Sequence, residues 1–243
     1  MTLHSFFLPG FQTNTDETSV LSEKAYPECF HQISTVLRAK KGTEFYLLNN
    51  LGQRYLMRIT QIEKKSMTVL CIKIESKEAE NTLSLWIPLI KLPKLEAALQ
   101  MYTQLGVTHF KIFRSDFTDE KIEILSEAKK ERLLRIITEA SEQSERFFIP
   151  TIEYLLTDFK NAEYTENIYV AVERNQLQKQ DHSKESIRSV MIGPEGGWSS
   201  TEITFFKKDP RFYPLDLHCT NILRAETAAV VAVALSHSER NVV

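Results

Sequence analysis

Between residues 42 and 74, apolar and polar positions alternate in short runs. Residues 45–48, 55–59 and 67–74 are rich in β-branched and aromatic side chains, which suit a pleated, half-buried surface. Asn49, Asn50 and Gly52 separate the first two runs, and residues 64–66 separate the next two. The pattern predicts a small antiparallel sheet or barrel joined by tight turns. Charge then collects in ESKEAE, residues 75–80, which reads as a linker or exposed turn.

The period changes beyond residue 81. Residues 83–87 and 108–113 read as strands, with a helix over 94–105 between them that stops at Gly106. A long amphipathic helix is expected over 119–143, because Ile122, Leu125, Leu133, Ile136, Ile137 and Ala140 fall at helical spacing. Residues 168–172 and 187–192 are short apolar strand candidates. A final apolar helix is expected over 222–237, capped by Thr220 or Asn221. Strands alternating with helices imply an α/β layer with a largely parallel sheet. The expected organisation is a β domain over 1–75 and an α/β domain over 81–243.

Two segments carry candidate chemistry. The chain has only 7 glycines, where average usage would give roughly 17. Gly193, Gly196 and Gly197 fall together in MIGPEGGWSS, residues 191–200. This loop follows a strand, and Ser199 with Glu202 fits a capping box that opens a helix. Loops beyond the carboxyl ends of parallel strands are where such sheets bind ligands. No Gly-Lys-Ser/Thr follows, so it is not a Walker A loop, nor is it GxGxxG. Loop chemistry alone fits a tight turn without a ligand equally well. The second segment is LHCTNILRAETAAVVAVALSH, residues 217–237. Its helix is apolar nearly all round and calls for burial in a core or an interface. Arg224 stands at the helix start, where the dipole opposes a cation. An ion pair with Glu226, or an anionic substrate group, would account for it.

Net charge is −2, so no global field attracts nucleic acid. A local patch is readable in Arg38, Lys40, Lys41, Arg54 and Arg58 of the β domain, which are candidates to meet RNA phosphates. Cys29, Cys71 and Cys219 are scattered, without metal-ligand spacing or a disulfide framework. That usage suggests a reducing, cytoplasmic location. No metal is expected. The start of the chain lacks a signal-peptide pattern, and the apolar stretch at 228–235 is too short to span a bilayer.

Five segments in order then resemble one family. His31-Gln32-Ile33-Ser34-Thr35-Val36-Leu37-Arg38 is similar to its His-rich Val-Leu-Arg segment, and Leu105-Gly106-Val107 to its Leu-Gly-Val. Glu139, Ala140, Gln143, Ser144 and Arg146 follow its Glu-Ala-x-x-Gln-Ser-x-Arg pattern. Residues 193–197 match its Gly-Pro-Glu-Gly-Gly loop, and residues 222–228 its Ile-Leu-Arg-x-Glu-Thr-Ala motif. The chain thus resembles the RsmE-type family of the SPOUT class, bacterial enzymes that methylate nitrogen 3 of a uridine in 16S ribosomal RNA of the small subunit.

The resemblance implies a PUA-like β-barrel over 1–75 that helps hold RNA, and a SPOUT α/β domain over 81–243 with a trefoil knot. It implies a homodimer with S-adenosylmethionine as cofactor. The residues implied for the cofactor are Val172, Glu173, Ile192, Gly193, Pro194, Glu195, Gly196, Gly197, Leu217, Cys219, Asn221, Ile222 and Leu223. The glycines are expected to clear Cβ atoms from its path. Arg224 is the candidate to stabilise a uridine anion or hold a phosphate, with Glu195 and Glu226 as bases or orienting groups. One departure stands out: His218-Cys219 replaces the family's usual Leu-Gly. Another RNA target for the same fold, or a non-catalytic role in ribosome assembly, stays open on the sequence.

Overall fold

The computed structural model describes residues 3–122, 125–156, 159–172, 177 and 187–238. The chain divides into two compact units, one formed by residues 1–80 with 141–149, the other by 81–140 with 150–243. The segment 141–149, which lies beyond residue 81, thus belongs to the first unit.

The first unit is built on a five-stranded sheet. Its strands are β1 (Ser5–Phe7), β2 (Thr18–Ser22), β3 (Glu44–Leu48), β4 (Gln53–Ile62) and β5 (Ser66–Ser76), in the order β1-β3-β4-β5-β2. All pairings are antiparallel except that of β1 with β3. The short helix α1 (Pro27–His31) continues into a π-helical turn, Gln32–Val36. Alternation sets the core, as expected for strands: Tyr55, Met57 and Ile59 of β4 and Met67, Val69 and Cys71 of β5 are buried together. At the β3–β4 turn the Asn49 side chain accepts hydrogen bonds from the N–H groups of Leu51 (2.8 Å) and Gln53 (3.0 Å). Residues 141–149 are tied in by polar contacts. The Phe7 N–H donates to Glu142 (2.8 Å), the Ile149 N–H to Asn50 (2.8 Å), and buried Arg146 pairs with Glu80.

The second unit carries a six-stranded sheet with every pairing parallel. Its strands are β6 (Ser84–Pro88), β7 (His109–Phe113), β8 (Thr151–Leu155), β9 (Ile168–Ala171), β10 (Ser189–Ile192) and β11 (Phe212–Leu215), ordered β11-β9-β10-β6-β7-β8. The helices are α2 (Leu92–Gln104), α3 (Glu127–Gln143), α4 (Ser200–Lys208) and α5 (Ala225–Ser238). The two-residue period assigns the faces. Trp86, Val170 and Met191 join an aromatic cluster with Phe113, Phe159, Trp198, Phe206 and Phe212. On the opposite face Ile87 and Ile192 meet Leu95, Ala98 and Tyr102 of α2 and Ala225 of α5. Among the described residues, no helix is long and apolar enough to cross a membrane.

Two expected helices are shorter than their apolar spacing implied. The helix expected from residue 119 starts at Glu127. Before it, the Asp119 side chain accepts from the Lys121 N–H (3.0 Å), and the Ile122 N–H bonds back to Asp119 O. Such a local turn competes with helix formation. The last helix starts at Ala225, not 222, with Arg224 O accepting its first turn's bond from the Ala228 N–H (2.8 Å). Thr220 and Asn221 therefore do not cap it. Within the unit α5 buries Ala228, Ala229, Ala232 and Val233 together with Ser236, while Val230, Val231 and Leu235 are half-buried and Ala234 is exposed.

Candidate functional site

The loop between β10 and α4 is fixed from below. The capping box is complete: Ser199 Oγ accepts from the Glu202 N–H, and Glu202 Oε2 accepts from the Ser199 N–H (2.8 Å). Glu202 is fully buried, and its other oxygen accepts from Ser115 Oγ (2.8 Å) and the Asp116 N–H (3.0 Å). Asp116 in turn accepts from Ser199 Oγ (2.5 Å), Thr201 Oγ1 (2.6 Å) and Lys160 Nζ (3.0 Å). The hydroxyls of Ser199 and Thr201, with Lys160, pull its carboxyl down to about 2.

The glycines have separate jobs. Trp198 Nε1 donates to Ala171 O (2.9 Å), and its ring stacks on Phe113 at 5.9 Å between centroids and 6° between planes. A Cβ at Gly193 would lie 2.9 Å from the Trp198 ring. Gly197 takes φ +73°, and its N–H closes a turn onto Pro194 O (2.9 Å). A Cβ at Gly196 would meet Phe117 Cβ at 3.3 Å. Beside the expected clearing of space for a ligand, each glycine meets a demand of the loop itself. Gly193 makes room for an indole, Gly197 supplies a left-handed backbone, and Gly196 faces a phenylalanine.

Above this loop lies a cavity of about 790 Å³. Its walls come from the ends of β9 and β10, from the glycine loop, and from the irregular segment between β11 and α5. Val172, Ile192, Gly193, Pro194, Glu195, Gly197, Leu217, Cys219, Asn221, Ile222 and Leu223 all line it, as does Arg224. Of the residues expected there, Gly196 is outside the walls, and Glu173 lies outside the described residues. The cavity sits at the carboxyl ends of parallel strands, where the general rule puts it. The N–H groups of Thr220, Asn221, Ile222 and Leu223 make no hydrogen bond within the described chain. His218 carries a positive φ of 53°, and its N–H donates to Asp216 Oδ1 (2.8 Å).

Three charged groups meet here, Lys94 and Glu195 lining the cavity and Glu226 following its lining residue Ala225. Lys94 Nζ, in the first turn of α2, donates to Glu195 Oε1 at 2.7 Å and lies 3.5 Å from Glu226 Oε1. The hydrogen bond to Lys94 is the main reason the Glu195 carboxyl lies below its ordinary range. Glu226 Oε2 is buried without a hydrogen-bond partner. Arg224 is exposed and has no ion pair or side-chain hydrogen bond. Pairing of Arg224 with Glu226, one expected alternative, is therefore replaced by Lys94–Glu226. Sequence reading missed Lys94, although the signal that singled out Arg224 applied to it: a cation in a helix's first turn opposes the dipole.

The basic residues of the first unit do not act alike. Arg38, Lys40 and Lys41 are exposed without ion pairs. Arg58 makes a two-pronged contact to Glu44 (2.8 and 2.6 Å). Arg54, at the other end of the β3–β4 ladder, is held by Glu75 (2.5 Å) and Glu145 (3.2 Å) and lies 4.3 Å over the Tyr46 ring. Among the described residues there is no cluster of acidic, His and Cys side chains suited to a metal ion.

Comparison with known proteins places this geometry. A family model described as an RNA methyltransferase domain matches residues 77–237. A ribosomal RNA small subunit methyltransferase E of Rickettsia conorii is 31% identical over 213 residues, covering 84% of each chain. A protein of the same name from Synechocystis is 32% identical over 213 residues, covering 84% of this chain and 69% of its own. Two solved structures share the fold over 98% of both chains. One is a ribosomal RNA small subunit methyltransferase E of Neisseria gonorrhoeae bound to S-adenosylmethionine (TM-score 0.78, 23% identity). The other is a Legionella pneumophila methyltransferase solved with the same cofactor (TM-score 0.78, 24% identity).

Proposed function

The chain belongs to the family of the ribosomal RNA small subunit methyltransferases E, and on that premise we propose that it methylates nitrogen 3 of one uridine in 16S ribosomal RNA, using S-adenosylmethionine. The observation that carries the reading is one cavity, built from the glycine loop and residues 216–225, with an unpaired guanidinium at its rim. Its volume falls in the range of roughly 300–1,000 Å³ typical of small-molecule sites. Ile192, Leu217 and Leu223 offer apolar walls, and the unused N–H groups of 220–223 offer donors to a heterocycle edge. Those residues, with Val172, the backbone of Gly193, Pro194, Glu195 and Gly197, Cys219 and Asn221, would hold the cofactor.

When bound, S-adenosylmethionine supplies an electrophilic methyl group on a sulfonium. The chain's part is to present the uridine nitrogen without its proton. Nitrogen 3 becomes a competent nucleophile as that proton leaves to solvent and charge spreads onto the flanking carbonyl oxygens. Arg224 faces no carboxylate of its own and is free to stabilise that charge, as an oxyanion-type donor does. Rigid loops then hold the two reactants aligned, which lowers the barrier by prepaid entropy. Exposed Arg38, Lys40 and Lys41 meet backbone phosphates of the RNA, a sequence-blind contribution.

The same premise assigns a PUA-like barrel to residues 1–75 and a trefoil-knotted SPOUT domain to 81–243. The return of the chain from edge strand β11 to α5, packed on central strands β10 and β6, supports the knot. A homodimer in the cytoplasm completes the reading. Ile222, 94% exposed, is an apolar side chain that a second copy or a bound ligand would cover.

The test is modification mapping. A methyl on uridine nitrogen 3 blocks its pairing edge and stops reverse transcriptase. Small-subunit RNA from a strain lacking the protein should lose one such stop and regain it after incubation with the purified protein and S-adenosylmethionine. An unchanged set of stops overturns the assignment.

A further inference from the structure

Lys94, Glu195 and Arg224 line the cavity, Glu226 stands next to its lining residue Ala225, and these groups are not paired as the sequence would pair them. Lys94 holds Glu195 at 2.7 Å and Glu226 at 3.5 Å. Arg224, whose charge also acts on Glu195, holds neither. An arginine fork beside a free carboxylate forms a strong two-pronged contact. Something must therefore keep Glu195 from Arg224. Glu226 is a weaker competitor, because residues two apart at a helix start do not face each other.

We propose that Lys94 is a positioning residue that keeps Arg224 available for the RNA: its ammonium takes up Glu195 and Glu226, leaving the guanidinium at the rim unpaired. An ammonium with three donors can hold two carboxylates at once. Its place is secure, since α2 is anchored by buried Leu95, Leu99 and Tyr102, and Tyr102 Oη donates to Glu226 O of α5 (3.2 Å). The side chain thus stands on a rigid element, as site geometry requires. Without Lys94, Glu195 turns to Arg224 and neutralises it. The inference rests on the reading of Arg224 as the group that meets an anionic part of the substrate.

The test uses the full chain, small ribosomal subunits from a strain lacking the protein, and labelled S-adenosylmethionine. Lys94→Met should lower the single-turnover transfer rate about tenfold or more, on the scale of losing a charge-stabilising donor. Its melting temperature and calorimetric affinity for S-adenosylmethionine should stay close to wild type. Lys94→Arg should retain most of the rate. The decisive arm is Lys94→Met with Glu195→Gln, which removes the competitor and should restore most of the lost rate. No rescue, or an unaffected Lys94→Met rate, overturns the proposal. A crystal structure of Lys94→Met gives a readout independent of activity: Glu195 should lie within about 4 Å of Arg224. An Arg224 still without a carboxylate in that variant overturns the proposal whatever the substrate is. A wild-type protein that methylates no small-subunit RNA, with the new pair present in the variant, sinks the functional reading and leaves the charge arrangement standing.

Discussion

A Cβ on residue 193 would stand 2.9 Å from the indole of Trp198, so Gly193 and Trp198 are a matched pair. The indole cannot retreat, because Ala171 O accepts its N–H and Phe113 backs its ring. Gly193→Ala should therefore cost stability by about 1–3 kcal/mol, as overpacking does. Adding Trp198→Phe should make the alanine cheaper to accommodate. Thermal melts of the two single variants and the double variant check this; strictly additive losses would mean the two positions do not compete for space.

The loop's other glycines separate turn geometry from ligand space. Gly197 has φ +73° and lines the cavity, whereas Gly196 faces Phe117 outside it. Gly197→Ala forces a side chain into a left-handed backbone, at about 1 kcal/mol or more, and should weaken S-adenosylmethionine binding severalfold. Gly196→Ala should displace Phe117 slightly and leave affinity near wild type. Calorimetry on both variants decides, and the reverse order would relocate the ligand.

Arg224 lies exposed at the end of an irregular segment, with no ion pair to lose. Arg224→Ala should leave the melting temperature unchanged within a degree or so, since exposed sites without partners usually matter little. Methyl transfer at saturating cofactor should fall at least about tenfold. Rapid-quench measurement of a single turnover, beside a melting curve, tests both halves. A lowered melting temperature with an unchanged rate would make Arg224 a structural residue.

Asp116 links the loop to acid stability. Its carboxyl is held at about 2 against an ordinary 3.8. A carboxyl depressed in the folded state stabilises the fold above its unfolded value, and that contribution fades as pH falls from 3.8 towards 2. Asp116→Asn removes the titration. Urea midpoints of wild type and variant should be furthest apart above pH about 4 and converge near pH about 2. A gap that stays constant over this range would show that Asp116 contributes without titrating.

The sequence made some of this legible and hid the rest for physical reasons. Strands β3, β4 and β5 were readable because each buries alternate residues of one face. β10 was readable as a short apolar run, since a parallel strand is buried on both faces. β11, by contrast, contains Pro214 in its interior, where proline argues against a central strand, and β1 has just 3 residues. The cavity's loops were legible through Gly193, Gly197 and Arg224, whose residue types are unusual for their positions. Lys94 was not, because its meaning comes from Glu195, 101 residues away. The partner of Gly193 was hidden for a similar reason: sequence shows the missing Cβ but not the Trp198 ring packed against it.

Residues 141–149 have a consequence for the order of events during synthesis. Glu142, Arg146 and Ile149 supply partners for Phe7, Glu80 and Asn50 in the first unit. A nascent chain therefore cannot finish its first unit when residue 80 leaves the ribosome. It must wait until β6, α2, β7 and α3 have also emerged. Domains commonly complete in N-to-C order as they are made; here the amino-terminal unit stays open while its neighbour is half written. A fragment released at residue 80 would leave Glu80 without Arg146 and the Phe7 N–H of β1 without Glu142, and should be captured by chaperones where the full chain is not.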